Sequence, residues 1–92
     1  MAKVRVPRKG VTQAELASVL SRRLGTQFQV AADGHGSVIA RKTSLSAAVV
    51  RIKKAPGATV FRVHGHGVPV VSVGTARIVA DALRRSPEFR SL

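Results

Sequence analysis

The spacing of apolar residues changes along the chain, and the first stretch has the period of a helix. Its apolar residues recur at intervals of three and four: Leu16, Val19, Leu20 and Leu24. The segment Thr12–Glu15 fits a capping box at the start of this helix, and Val11 and Leu16 are placed as a hydrophobic staple. Gly25 stands where a left-handed residue commonly ends a helix. We therefore predict a first helix between Thr12 and Gly25.

From Thr26 onwards apolar and polar residues alternate, which is the period of a β-strand. Turn-forming residues interrupt the alternation at residues 33–36, 43–46 and 55–57. The interruptions divide this region into four strands. The first strand includes Phe28 and Val30, and the others span roughly residues 37–42, 47–54 and 59–64.

A helical period returns near the C-terminal end. A Gly-rich break at residues 65–69 separates the last strand from this second helix. We predict that the helix begins at Val73 or Thr75, ends at Arg85, and is stopped by Ser86-Pro87. Its buried residues are expected to be Ile78, Val79, Ala82 and Leu83.

The predicted element order is (β)-α-β-β-β-β-α, which indicates an α+β fold. Short connections between consecutive strands favour an antiparallel meander, and the single apolar face of each helix must cover the same side of the sheet. We predict a four-stranded antiparallel meander with two helices packed on one face. Residues 11–92 are interpreted as a single domain. Residues 1–10 are interpreted as either a basic N-terminal arm or a short edge strand.

Net charge narrows the kind of partner. The 92 residues include 16 Lys and Arg but only 4 Asp and Glu, giving a formal net charge of +12. Such self-repulsion is most readily explained by an anionic partner, first of all nucleic acid. A hydrophobic fraction of 45% is too high for a disordered basic tail. Because the sequence has no membrane-length apolar run and no signal-peptide stretch, we expect a cytoplasmic protein without a membrane span.

Alternation along the strands predicts a basic face on the side of the sheet without helices. For the second strand, either Val38 and Ala40 or Ile39 and Arg41 could face the core. We favour Val38 and Ala40, because that choice exposes Arg41. The open face would then carry Gln27 and Gln29 with four basic residues: Arg41, Arg51, Lys53 and Arg62. The N-terminal segment adds three further candidates: Arg5, Arg8 and Lys9.

These seven basic residues are candidate contacts to DNA or RNA. Arg and Lys bind phosphate oxygens, whereas the predicted face has no aromatic residue on which a base could stack. Contacts would therefore be mainly to the backbone and weakly sequence-specific. The competing interpretation is an ordinary solvated sheet face, where Lys and Arg are common and also discourage aggregation.

No catalytic, metal or cofactor site is predicted. The predicted meander puts His35 in a turn at the opposite end of the sheet from His64 and His66, about 20 Å away, so we do not expect the three to share one metal ion. The chain has no Cys, which excludes disulfides and thiolate sites. The acids have structural explanations, such as Glu15 in the capping box and Asp81 beside arginines of its helix. We therefore expect a protein that is not an enzyme.

A second hypothesis is an interaction or assembly protein, such as an adaptor or a phage structural component. Its contact surface would include Val49, Val60 and the apolar segment 68–73, and its partner would be a second copy or another protein.

Two resemblances accompany these patterns. The β-α-β₄-α order resembles the TATA-binding-protein-like and helix-grip folds, a likeness of topology that implies no function. More narrowly, Thr59-x-Phe61-x-Val63, the Gly-rich break and the residues from Arg77 to Leu83 are similar to a set of small actinobacterial proteins, several of them uncharacterised. This similarity covers about a third of the chain, implies a bacterial or phage origin, and supplies no site residues.

Overall fold

The alternating segments form a five-stranded antiparallel sheet in the computed structural model of the protein, which describes residues 2–33 and 36–89. The strands are β1 (Ala2–Val6), β2 (Gln29–Ala32), β3 (Ser37–Thr43), β4 (Ser46–Ala55) and β5 (Ala58–Gly67). Their order in the sheet is β1-β5-β4-β3-β2. Strands β2 to β5 form the predicted antiparallel meander.

Strand β1 makes the sheet five-stranded instead of four-stranded. It pairs antiparallel with β5, from Ala2 opposite Val63 to Val6 opposite Thr59. Val4 and Val6 are buried, whereas the residues between and beside them are exposed. Residues 2–6 are therefore an edge strand and not a free arm. Local alternation alone could not show this pairing, because the partner strand lies far along the chain.

Helix α1 (Gln13–Leu24) begins and ends where the sequence predicts. The Thr12 hydroxyl accepts a hydrogen bond from the Glu15 backbone N–H at 3.2 Å. Gly25 follows the helix with a positive φ of 75°, a conformation that favours glycine. The predicted apolar face is confirmed at its centre, where Leu16, Val19 and Leu20 are almost completely buried.

Helix α2 (Pro69–Arg85) begins earlier than predicted. Proline occupies the first turn, where its missing N–H costs no helical hydrogen bond. The β-branched residues that follow obscure this start in the sequence. The buried face also differs from the prediction, because Ile78 is 43% exposed. The buried residues of α2 are Ser72, Thr75, Ala76, Val79, Ala80 and Leu83.

Close packing of α2 on β5 depends on Gly65. The predicted Gly-rich break is a continuation of β5, and Gly65 pairs with Ala48 of β4. A Cβ atom at Gly65 would lie 2.5 Å from the carbonyl oxygen of Ser72 on α2. This glycine therefore lets a helix backbone approach a strand backbone, which explains its presence without a bound anion.

The hydrophobic core lies between the two helices and one face of the sheet. Helix α1 contacts β2 and β3, and α2 contacts β1, β4 and β5, so both helices cover the same face as predicted. A short 3₁₀ turn (Pro87–Phe89) returns the chain to this core. The Phe89 ring is fully buried and packs at a tilt against Phe61, with ring centroids 5.1 Å apart.

Candidate nucleic-acid interface

The outer face of the sheet, which we define as the face without helices, carries the basic strand residues. Pairing and burial place four predicted residues on it: Arg41, Arg51, Lys53 and Arg62. The choice made for the second predicted strand is confirmed, because Val38 and Ala40 are fully buried and Arg41 is exposed.

Three cations lie side by side across three strands of the outer face. Lys3 of β1 is opposite Arg62 of β5, and Arg62 is opposite Arg51 of β4. Neighbouring strands are about 4.8 Å apart, so these side chains leave the sheet as a single row. Like charges directly opposite each other destabilise a sheet, by on the order of a few tenths of a kcal/mol per pair. The row therefore contains two unfavourable pairs.

A second row adds two cations one step along the same strands. Arg5 of β1 and Lys53 of β4 lie on either side of Val60 of β5. Residues two apart on one strand are separated by roughly 6.7 Å, so the two rows form one patch. We name this patch the basic cluster, and its members are Lys3, Arg5, Arg51, Lys53 and Arg62.

The sequence analysis did not include Lys3 among the candidates. It included Arg5, but it left open whether the N-terminal segment is a strand and which strand it would pair with. Both residues project outward because Val4 and Val6 between them point to the core. The signal was present in the alternation of residues 3–6. What was absent was any sign that this segment joins β5 next to Arg62.

Arg41 lies on the outer face but away from the basic cluster. It is opposite Ala47 of β4, and Arg51 stands four residues further along that strand, roughly 13 Å away. The half-buried side chains of Ile39 and Val49 occupy the row between them. The structure therefore divides the predicted basic face into a cluster and a separate arginine.

The two predicted glutamines also separate. Gln29 of β2 is opposite Arg41 and shares the outer face. Gln27 lies in a 3₁₀ turn (Gly25–Gln27) that precedes β2, so it does not belong to this face. The alternation of polar and apolar residues in Gln27-Phe28-Gln29-Val30 predicts that the strand already includes Gln27, whereas β2 begins at Gln29.

Arg8 and Lys9 lie beyond the end of β1 and outside the basic cluster. The Arg8 guanidinium forms an ion pair with Glu15 of α1 and donates a hydrogen bond to the Glu88 backbone carbonyl at 3.0 Å. The Thr59 hydroxyl donates to the Arg8 carbonyl at 2.6 Å, which fixes this linker against β5. Arg8 therefore ties together distant segments of the chain, while Lys9 is exposed.

Most of the acidic residues neutralise arginines on the helices and in the linker. The ion pairs among described residues are Arg8–Glu15, Arg22–Glu88 at 3.4 Å, Arg23–Glu88 at 2.8 Å and Arg84–Asp81 at 3.1 Å. These four ion pairs include no member of the basic cluster, whereas Asp33 lines the same groove as Arg51, Lys53 and Arg62. Positive charge is thus partly balanced around the helices, whereas five cations are gathered in the cluster with Asp33 as the acid in their groove.

Glu88 is the acid most strongly held by this arrangement. Its hydrogen bond from the Arg23 guanidinium lowers the pKa of the Glu88 carboxyl below the usual value, and the charges of Arg23 and Arg22 act in the same direction. The carboxylate therefore remains ionised to lower pH than a free glutamate and keeps the C-terminal 3₁₀ turn attached to α1.

Asp33 lies at the corner of the outer face where β2 turns toward β3. Its Oδ1 atom accepts a hydrogen bond from the Ser37 backbone N–H at 3.2 Å, and its own N–H donates to the Ser37 carbonyl at 3.0 Å. Ser37 is opposite Arg51. The row of cations that starts at Lys3 therefore ends beside an acid, because Asp33 lines one groove with Arg51, Lys53 and Arg62.

Two of the three histidines are on the outer face. His64 and His66 project from β5 opposite Val49 and Ala47. In the described part of the chain, no group of three or more His, Cys, Asp or Glu side chains is arranged to hold a metal ion. The third histidine, His35, lies outside the described residues.

Comparisons of the chain with protein-family models, with curated proteins and with solved structures find no match. The resemblances noted from the sequence therefore remain predictions. Neither of the described helices is both long and apolar enough to cross a membrane.

Proposed function

We propose that this protein is a non-enzymatic nucleic-acid-binding protein whose basic cluster contacts the sugar–phosphate backbone. The observation that carries the proposal is the row in which Arg62 lies directly between Lys3 and Arg51, within a cluster of five cations whose groove is lined by one acid, Asp33. A sheet face selected only for stability would place charges of opposite sign in such positions. Phosphates bound along the row would offset the repulsion. A repulsive row that lowers stability is typical of a surface that is retained for binding.

Backbone contact is favoured over base stacking, because the outer face carries five clustered cations but no Phe, Tyr or Trp, and its described aromatic rings are those of His64 and His66. The three phenylalanines are the only Phe, Tyr or Trp residues of the chain, and all three are buried in the core: Phe28, Phe61 and Phe89. Aliphatic residues such as Val49 and Val60 fill the surface between the cations. Recognition would therefore depend on charge and shape, with weak sequence preference, and both DNA and RNA are candidate ligands.

The number of cations sets the expected salt dependence. Five phosphate contacts predict a slope of about −4.5 in log K against log salt for duplex DNA, and about −3.5 for a single strand. Fluorescence anisotropy with labelled duplex and single-stranded DNA and RNA, from low to moderate salt, measures this slope for each ligand.

Arg62→Glu separates binding from folding. The new carboxylate would face Lys3 and Arg51, so two repulsive pairs become attractive, and we expect the free energy of unfolding to rise by roughly 0.5–1 kcal/mol. Nucleic-acid affinity should fall at the same time, and the salt slope should become shallower by about one phosphate contact or more. Urea unfolding and anisotropy on the same preparation test both expectations.

The matched control is Arg77→Glu, which makes the same change of net charge on an exposed residue of α2. This variant should keep nearly the full slope. Equal losses of affinity in the two variants would show attraction by total charge only and would contradict an interface at the basic cluster. Absence of binding at low salt would contradict nucleic-acid binding altogether.

A second candidate function is protein–protein assembly, favoured by one apolar surface. Exposed aliphatic side chains surround the start of α2: Leu45, Val68, Val70, Val71 and Val73. Leu45 and Val68 are adjacent, since the Val68 N–H donates to the Leu45 carbonyl at 2.9 Å. Clusters of this kind are typical of contact surfaces.

Sedimentation velocity tests this second candidate. If copies assemble through the apolar surface, the protein should sediment as an oligomer whose dissociation constant rises at least ten-fold in Val70→Ser/Val73→Ser, since two exposed contacts are lost. A monomer at high protein concentration would contradict self-assembly and leave only a different protein as partner.

A further inference from the structure

A cleft of about 540 Å³ opens on the helix side of the molecule, away from the basic cluster. It lies between the end of α1, the end of β3 and the second half of α2. The residues that line it are Arg23, Leu24, Gln27, Phe28, Lys42, Ile78, Asp81, Ala82 and Arg85. Its volume is within the range of sites that hold small organic molecules.

The apolar part of the cleft explains an exposed residue of α2. Ile78 is 43% exposed, although it was predicted to be a core residue. It is turned away from the buried face of α2 and lines the cleft together with Leu24, Phe28 and Ala82. An apolar group bound here would be shielded from water by Leu24 of α1 on one side and by Ile78 of α2 on the other.

The charged part of the cleft is strongly biased toward cations. Three basic residues line it against the single acid Asp81. Asp81 is bound by Arg84 at 3.1 Å, and Arg23 is bound by Glu88 at 2.8 Å. Lys42 and Arg85 line the cleft and take part in neither these ion pairs nor those of Arg8 and Arg22.

We propose that this cleft binds a small organic anion with an apolar body, such as a hydrocarbon or aromatic group that carries a carboxylate, sulfonate or phosphate. The apolar body would lie against Phe28 and Ile78, and the anionic group would lie between Lys42 and Arg85. The site is on the face opposite the basic cluster, so this proposal is independent of nucleic-acid binding.

The probe for this site is anilinonaphthalene sulfonate, an aromatic anion whose fluorescence increases in apolar surroundings. Titration of the full chain should give saturable binding with one site per molecule. Decanoate and decyl phosphate should displace the probe, and their relative strengths distinguish a carboxylate ligand from a phosphate ligand. Decanol, which has the same apolar body without the charge, should displace it at least ten-fold more weakly if the cations contribute charge-assisted contacts.

Arg85→Glu and Arg77→Glu form a matched pair on α2, because only Arg85 lines the cleft. We expect Arg85→Glu to weaken probe binding about ten-fold or more and Arg77→Glu to change it less than two-fold. Circular dichroism melting curves establish that each variant is folded, and Lys42→Glu replaces Arg85→Glu if that variant does not fold.

Equal weakening in both variants, binding that does not saturate, or displacement by decanol as strong as by decanoate would overturn the proposal. Displacement of the probe by duplex DNA would overturn the independence of the two sites. Failure of DNA binding with saturable probe binding would contradict only the nucleic-acid function.

Discussion

Phe89→Ala is expected to lower the free energy of unfolding by about 3–5 kcal/mol. The ring is fully buried and packs against Phe61, although it belongs to a 3₁₀ turn of only three residues. Removal of the ring would leave a cavity beside Phe61 that a closely packed core fills only in part. Because domains of this size are stable by about 5–15 kcal/mol, the loss would be a large share of the total.

Equilibrium unfolding in guanidinium chloride measures this effect. Phe89→Leu is the control, since it retains much of the apolar volume and should cost less than about 1.5 kcal/mol. A loss below about 1 kcal/mol in Phe89→Ala would show that the ring contributes little to the core, contrary to its burial.

Gly65→Ala is expected to destabilise the fold by about 1–3 kcal/mol through overpacking. The added Cβ would meet the Ser72 carbonyl oxygen at 2.5 Å and the carbonyl carbon at 2.7 Å. Both are backbone atoms of α2, so no side-chain rotation can relieve the contact. The helix would have to move away from β5 along its first turns.

Gly74→Ala, in helix α2, is expected to stabilise the fold and is therefore the control for Gly65→Ala. A Cβ atom at Gly74 meets nothing within 4 Å, so the change should raise the free energy of unfolding by roughly 0.5–1 kcal/mol through helix propensity. Thermal and denaturant melts of the two variants are directly comparable. A neutral or stabilising Gly65→Ala would contradict the close approach of α2 to β5.

Local signals in the sequence were sufficient for the elements whose determinants are local. The cap at Thr12, the staple residue Val11 and Gly25 define α1 within a single stretch of chain. For β3 alternation left two orientations open, and the one chosen because it exposes the charged Arg41 is confirmed by the burial of Val38 and Ala40.

Features that depend on distant contacts were not predictable in the same way. The start of α2 at Pro69 was hidden because valines favour strands in isolation, and packing on β5 overrides that preference. Exposure of Ile78 results from how α2 rotates against the sheet, which its own periodicity left ambiguous.

The candidate interface shows the same division between local and distant determinants. Arg51, Lys53 and Arg62 were found because their strands alternate, and the short β4–β5 turn fixes their register. Lys3 was missed because β1 joins the sheet only through residues 59–63 of β5, which are far from it along the chain. Arg41 was grouped with the others because alternation identifies a face and not the distance along it.

The pairing of β1 with β5 also has a consequence for how the chain is made. Val4 finds its partner Phe61 only after most of the chain has been synthesised, and at about 5–20 residues per second that delay lasts several seconds. Contacts between such distant segments form late in folding, because a long loop must close first. During translation, Lys3 and Arg5 are therefore separated from Arg51 and Arg62, and the complete cluster exists only once the last strand has emerged from the ribosome.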